Sequence, residues 1–177
     1  ADELVDLGVR EDVRRSLGLH LDGDIVAVLP GSRMSEVRVL GDIFLKTAQL
    51  IQSNVPTIQF LVPAVDDKIF DYLTSLLQAY PELKVRLLNG QSKETILASN
   101  VVLLASGTAS LEAALMLRPM VVAYKMAALS WAILSRMAST RFASLPNILA
   151  NKAVVPEFLQ DNATPELLAQ ALMEILM

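Results

Sequence analysis

Residues 24–37 read DIVAVLPGSRMSEV, and this stretch decides the fold. From Ile25 to Leu29 every side chain is apolar, as a strand covered on both faces of a parallel sheet requires. Pro30 stops the strand, and Gly31 permits a positive φ. Beyond Ser35, apolar residues recur at helical spacing (Val39, Ile43, Phe44, Ala48, Ile51) to about Ser53. Strand, glycine turn and helix together open a βαβ unit.

The same alternation continues along the chain. Strands are expected over 57–63, 84–88, 100–105 and 119–124, and helices over 66–79, 92–98, 108–117 and 129–138. Ser92 reads as the N-cap of the short third helix. The stretch 144–148 (SLPNI) reads as a last short strand or an extended loop. Thr164, Pro165 and Glu166 occupy the N-cap, first position and first turn of a closing helix, Pro165–Leu176. The pattern implies an α/β fold, a doubly wound, Rossmann-like parallel sheet whose ligands sit beyond the carboxyl ends of the strands. The domain covers 24–177, and 1–23 reads as a linker and lead-in.

Composition narrows the function classes. The 177 residues suffice for one sizeable core. Hydrophobic residues reach 53% and charged residues only 19%, so the chain holds more apolar surface than an ordinary domain needs. No charge-free apolar run approaches the roughly 18–20 residues of a membrane span. A net charge of −4 disfavours nucleic acid as a partner. With no cysteine and the single histidine His20, neither a disulfide framework nor a thiolate or polyhistidine metal site is available. No metal is expected.

Two strand-to-helix loops carry the chemistry. In the first, Gly31 allows close backbone approach, Ser32 and Arg33 supply donors, and the helix start that follows favours anions. The planar fork of Arg33 fits a pyrophosphate, although a plain loop with a surface arginine reads the same. In the second, Ser106, Gly107 and Thr108 present amides and hydroxyls where the fourth strand turns into a helix. Glu112 follows one turn later on the same face, placed to accept from the hydroxyls of a ribose. Its neighbours Leu111, Ala113, Ala114 and Leu115 suggest a largely buried helix, which argues against a merely solvated glutamate. Neither loop is a dinucleotide fingerprint or a P-loop. What remains is a nucleoside diphosphate held by two helix starts.

Five segments, LPGSRMSEV (29–37), FLVPA (60–64), LLASGTASLEAAL (103–115), RPMVVAYK (118–125) and SLPNILANKAVVPEFLQ (144–160), resemble in sequence and order the lipid-A-disaccharide synthase family. The resemblance implies the donor-binding C-terminal domain of a GT-B glycosyltransferase, whose two Rossmann-like domains face each other across a cleft. The family's reaction moves a diacylglucosamine from its UDP derivative to lipid X, forming a β-1,6 disaccharide with inversion and without a cofactor. By match to the motifs, Gly31, Ser32, Arg33, Ser106, Gly107 and Thr108 would meet the pyrophosphate, and Glu112 the ribose. Asn147 would lie near the diphosphate or donor sugar, and the backbone around Leu88 and Asn89 would receive uracil.

The resemblance also implies an N-terminal domain ahead of ADEL, carrying the acceptor contacts and the catalytic base. On that expectation no catalytic residue lies in this chain, which binds UDP without turnover. A cytoplasmic protein of Gram-negative bacteria follows, with a homo-oligomer and peripheral attachment to the inner membrane as further options. The rivals are another UDP-sugar enzyme of this fold, an epimerase or the murein-precursor transferase, and a non-catalytic, flavodoxin-like module. Between Ala113 and Pro156 there is no acidic residue, but Arg118, Lys125, Arg136, Arg141 and Lys152 interleave with apolar side chains. Met126, Trp131 and Leu134 in that segment fit a membrane surface or an acyl chain as well as they fit core.

Overall fold

The computed structural model describes residues 2–105, 107–126, 128–137 and 142–177. Six parallel strands form one sheet: β1 (Ile25–Leu29), β2 (Gln59–Ala64), β3 (Val85–Asn89), β4 (Val101–Ala105), β5 (Met120–Tyr124) and β6 (Glu157–Leu159). Their order is β3-β2-β1-β4-β5-β6. The chain therefore builds outward from β1 in one direction, then returns and builds outward from β4 in the other. Val26 pairs with Val101 and Leu29 with Leu104 across that seam. In a doubly wound sheet the seam is where the crevice for a ligand opens.

The strands form because their side chains have apolar cover on both sides. Val26 and Val28 join Phe60, Val62, Leu103 and Val121 on one face, under α2 (Met34–Asn54), α3 (Asp67–Leu77) and α8 (Pro165–Leu176). Ala27, Leu29, Val102 and Leu104 point the other way, toward α4 (Ser92–Ala98) and α5 (Thr108–Leu115). Successive residues alternate between the two clusters, as the two-residue period of a strand dictates. Helix α8 begins where Thr164, Pro165 and Glu166 imply and runs to Leu176, with the Thr164 hydroxyl accepting from the Leu167 amide at 3.3 Å.

Four local expectations change. The lead-in contains α1 (Asp2–Ser16), which packs on α4. Arg14 holds it there: buried, it donates to the carbonyls of Ala98 (2.9 Å), Leu21 (2.7 Å) and Gly23 (3.1 Å) and to Asn100 Oδ1 (2.9 Å). The SLPNI stretch is not extended but helical, α7 (Leu145–Ala150), with Ser144 as N-cap and Pro146 in the first turn. The last strand comes later, at β6. The N-cap of α4 is Gln91, with φ 60°, and Ser92 is already helical. The remaining helix, α6 (Ala128–Met137), lies where 129–138 is expected, and Ala138 falls outside the described residues. No helix among the described residues is long and apolar enough to cross a membrane.

Candidate functional site

A cleft of about 1220 Å³ opens at the carboxyl ends of the strands, across the seam between β1 and β4. Gly31, Ser32 and Arg33 form one wall, and Gly107, Thr108 and Glu112 form the other. Both walls end in helix starts without a side-chain cap, Arg33 preceding α2 and Gly107 preceding α5. A start with no N-cap side chain over it leaves first-turn N–H groups and the positive end of its helix dipole for an anion. Gly107 sits at φ 146°, where a side chain would be strained whatever the space around it. Ser106 lies outside the described residues.

Gly31 has φ 136°, and a Cβ there would stand 2.7 Å from Cβ of Glu36. Glu36 occupies the third position of α2 and folds back over the loop, its carboxylate against the backbone amides of Arg33 and Ser32. This is half of a capping box. Burial lifts the Glu36 carboxyl above the ordinary glutamate value, and the Arg33 charge and the two amides offset part of that rise. Tyr124, at the end of β5, also lines the cleft. Burial raises its phenol, Glu36 adds to the rise, and Arg33 opposes it. Sequence reasoning missed both residues. The spacing from Arg33 to Glu36 was the available signal for the first, and the strand end was the signal for the second.

Of the expected site residues, Gly31, Ser32, Arg33, Gly107, Thr108 and Glu112 converge. Glu112 is half-buried, but α5 is less buried than its apolar sequence suggests, since Leu115 is 76% exposed. Leu88 and Asn89 end β3 and do not line the cleft, which reaches that edge through Pro63, Val65 and Ser92. Asn147 lies away from the lining too. It is buried, and its side-chain amide is fully engaged: Nδ2 donates to the Val155 carbonyl (2.9 Å) and Glu157 Oε1 (2.7 Å). Its Oδ1 accepts from the amides of Val154 (2.7 Å) and Val155 (2.9 Å). An asparagine side chain has two donors and two principal acceptor sites, so a ligand would have to break a bond already made.

Met126, Trp131 and Leu134 line the same cleft, beside Phe142 and Leu159. The site thus has a polar end at the seam and an apolar end under α6. Arg141 lies outside the described residues. Among those described, no group of three or more His, Asp or Glu side chains is arranged to hold a metal ion.

A family model described as lipid-A-disaccharide synthetase matches residues 2–177. The chain belongs to that family. It is 46% identical over 173 residues to the lipid-A-disaccharide synthase of Cellvibrio japonicus, covering 98% of this chain and 45% of that protein. The chain therefore spans less than half the length of this synthase relative. Solved structures share the fold: the ADP-heptose lipopolysaccharide heptosyltransferase II of E. coli superposes with a TM-score of 0.65 at 14% identity, over 96% of this chain and 51% of that one. The UDP-GlcNAc 2-epimerase of Neisseria meningitidis, bound to UDP-GlcNAc, does so at 0.58 and 14%, over 98% and 42%. The architecture is the Rossmann-like one of GT-B glycosyltransferases and is common to transferases and epimerases; the sequence family separates them.

Proposed function

We propose that this chain is the sugar-nucleotide half of a lipid-A-disaccharide synthase, binding the UDP end of UDP-diacylglucosamine for transfer to lipid X. One observation carries the reading: Arg33 and Glu112, from opposite walls, line one cleft with two uncapped helix starts. The diphosphate would take the amides of both starts and the Arg33 fork, the pairing that suits a planar guanidinium. Glu112, one turn into α5, would accept from the ribose hydroxyls. Gly31 and Ser32 supply close backbone approach, and Gly107 and Thr108 do the same from the other wall. The transfer reaction, the lipid acceptor and attachment to the inner membrane belong to the whole protein and rest on family membership.

Calorimetry with UDP tests the reading. Hydrogen bonds to charged groups contribute about 1.5–3 kcal/mol, so Arg33→Ala should weaken UDP roughly tenfold to a hundredfold. Glu112→Gln should narrow the preference for UDP over its 2′-deoxy analogue. A flavin that binds while UDP does not would overturn the assignment and favour a flavodoxin-like module.

A further inference from the structure

We infer that Glu36 is a further contact to the diphosphate, meeting it as a neutral acid after taking a proton from solvent. The inference rests on the nucleotide reading above and deepens it. Glu36 lines the cleft beside Ser32, Arg33 and Ser35, so an anion held at the start of α2 lies next to its carboxyl. The fold builds a seat for this side chain. From the Cβ position that Gly31 lacks, Glu36 Cβ stands at 2.7 Å, Cδ at 3.4 Å and Oε2 at 3.5 Å, so the side chain lies along the loop. Its carboxylate takes the Ser32 and Arg33 amides, while the amides of Glu36 and Val37 donate to the Arg33 carbonyl at 3.0 and 3.1 Å. The first loop thus already carries one anion, supplied by the chain itself.

Two negative groups then compete for one set of donors. Burial lifts the Glu36 carboxyl above its ordinary value, and the Arg33 charge and the two amides hold the ionised form against it. A diphosphate in the Arg33 fork uses the same positive charge and sets its own negative charge beside the carboxylate. Both changes favour the protonated acid. Once protonated, the group gains an O–H donor and keeps a carbonyl oxygen for the amides. It turns from a repelling neighbour into a hydrogen-bond donor to a phosphate oxygen. The other titratable side chains lining the cleft are Arg33 from the same loop, Tyr124 from β5 and Glu112 from α5. Burial raises the Tyr124 phenol, Glu36 adds to the rise and Arg33 opposes it, so Tyr124 keeps its proton through neutral pH. Glu112 stands on the opposite wall, and substitution separates its titration from that of Glu36.

The test measures affinity for UDP-N-acetylglucosamine by calorimetry from about pH 5 to about pH 8. The diphosphate diester of this probe has no group titrating there, whereas a terminal phosphate has a second pKa of about 6. A rise of one pKa unit in Glu36 on binding corresponds to about tenfold in affinity, so wild type should bind roughly tenfold more weakly at the alkaline end than at the acid end. Runs in two buffers of different ionisation enthalpy should show net proton uptake near neutral pH. Glu36→Gln keeps the cap, since glutamine serves at this helix position as glutamate does, and it carries a donor without the charge. It should bind about tenfold more tightly than wild type at the alkaline end, with no pH slope and no proton uptake. Flat affinity in wild type, or weaker binding by Glu36→Gln at the alkaline end, would make the residue a loop cap alone and refute the inference. A slope that survives Glu36→Gln would refute it too, and its loss in Glu112→Gln would move the proton to that residue. Failure of the nucleotide reading is a separate result: neither UDP nor UDP-N-acetylglucosamine binds at any pH.

Discussion

Gly31 and Glu36 share a volume that only one of them can fill. Gly31→Ala would place a methyl 2.7 Å from Cβ of Glu36, on a backbone at φ 136° that L residues rarely adopt. The loop must then move, and a strained backbone of this kind costs about 1–3 kcal/mol. Gly31→Ala is expected to lower the melting temperature and weaken UDP together, as read by thermal denaturation and calorimetry. Glu36 gives a second, pH-resolved prediction. Its folded carboxyl titrates above 4.5, chiefly because burial disfavours the charge. Such a group contributes its full stability below the unfolded value and loses it as pH rises through the folded one. The advantage of wild type over Glu36→Gln should therefore shrink as pH climbs from 4.5 toward the elevated value; denaturant melts across that window check it. Arg33, Gly107, Thr108 and Glu112 were legible because loop chemistry is local. Tyr124 was less so, because only the strand order brings β5 beside the first loop.

At the scale of elements, α7 shows how a short helix escapes sequence reading. Six residues make less than two turns, too few for the apolar spacing to declare itself. The remaining signals, a Ser N-cap and a proline in the first turn, were present at Ser144 and Pro146. What fixes the element is distant in sequence: Glu157, on β6, gathers the amides and hydroxyl at its start. Asn147 was readable as a special residue but not as a structural one, since its partners Val154, Val155 and Glu157 meet it only in the fold. Asn147→Ala would remove the partner of two amides, one carbonyl and one carboxylate oxygen, each group costing roughly 1–3 kcal/mol when left unpaired in a buried place. A loss of about 2–4 kcal/mol in urea melts is expected, with Asn147→Asp worse because it sets a second carboxylate against Glu157. A variant that weakens UDP without lowering stability would instead return Asn147 to the ligand.

The described residues form one sheet with a seam, and that seam determines what a ligand does to stability. Strands β1 and β4 read clearly from sequence because burial on both faces makes them unbroken apolar runs. The half-exposed edge β3 was still expected within one residue of where it lies, whereas the three-residue β6 was not expected, and strand order cannot be read from linear spacing at all. Yet the order decides the site, because it puts α2 on one face and α5 on the other with their starts beside a single cleft. A diphosphate held there bridges the two halves of the sheet. Binding to the folded state alone adds about 2.7 kcal/mol at a hundred times Kd. For a chain of this size that corresponds to a rise of roughly 5–10 °C in Tm. The gain should be shared across the seam, so amide exchange should slow at the starts of both α2 and α5. Protection confined to one of them would mean that the ligand grips one half only, and protection at Leu88 and Asn89 would extend the site to the β3 edge, which the cleft reaches instead through Ser92.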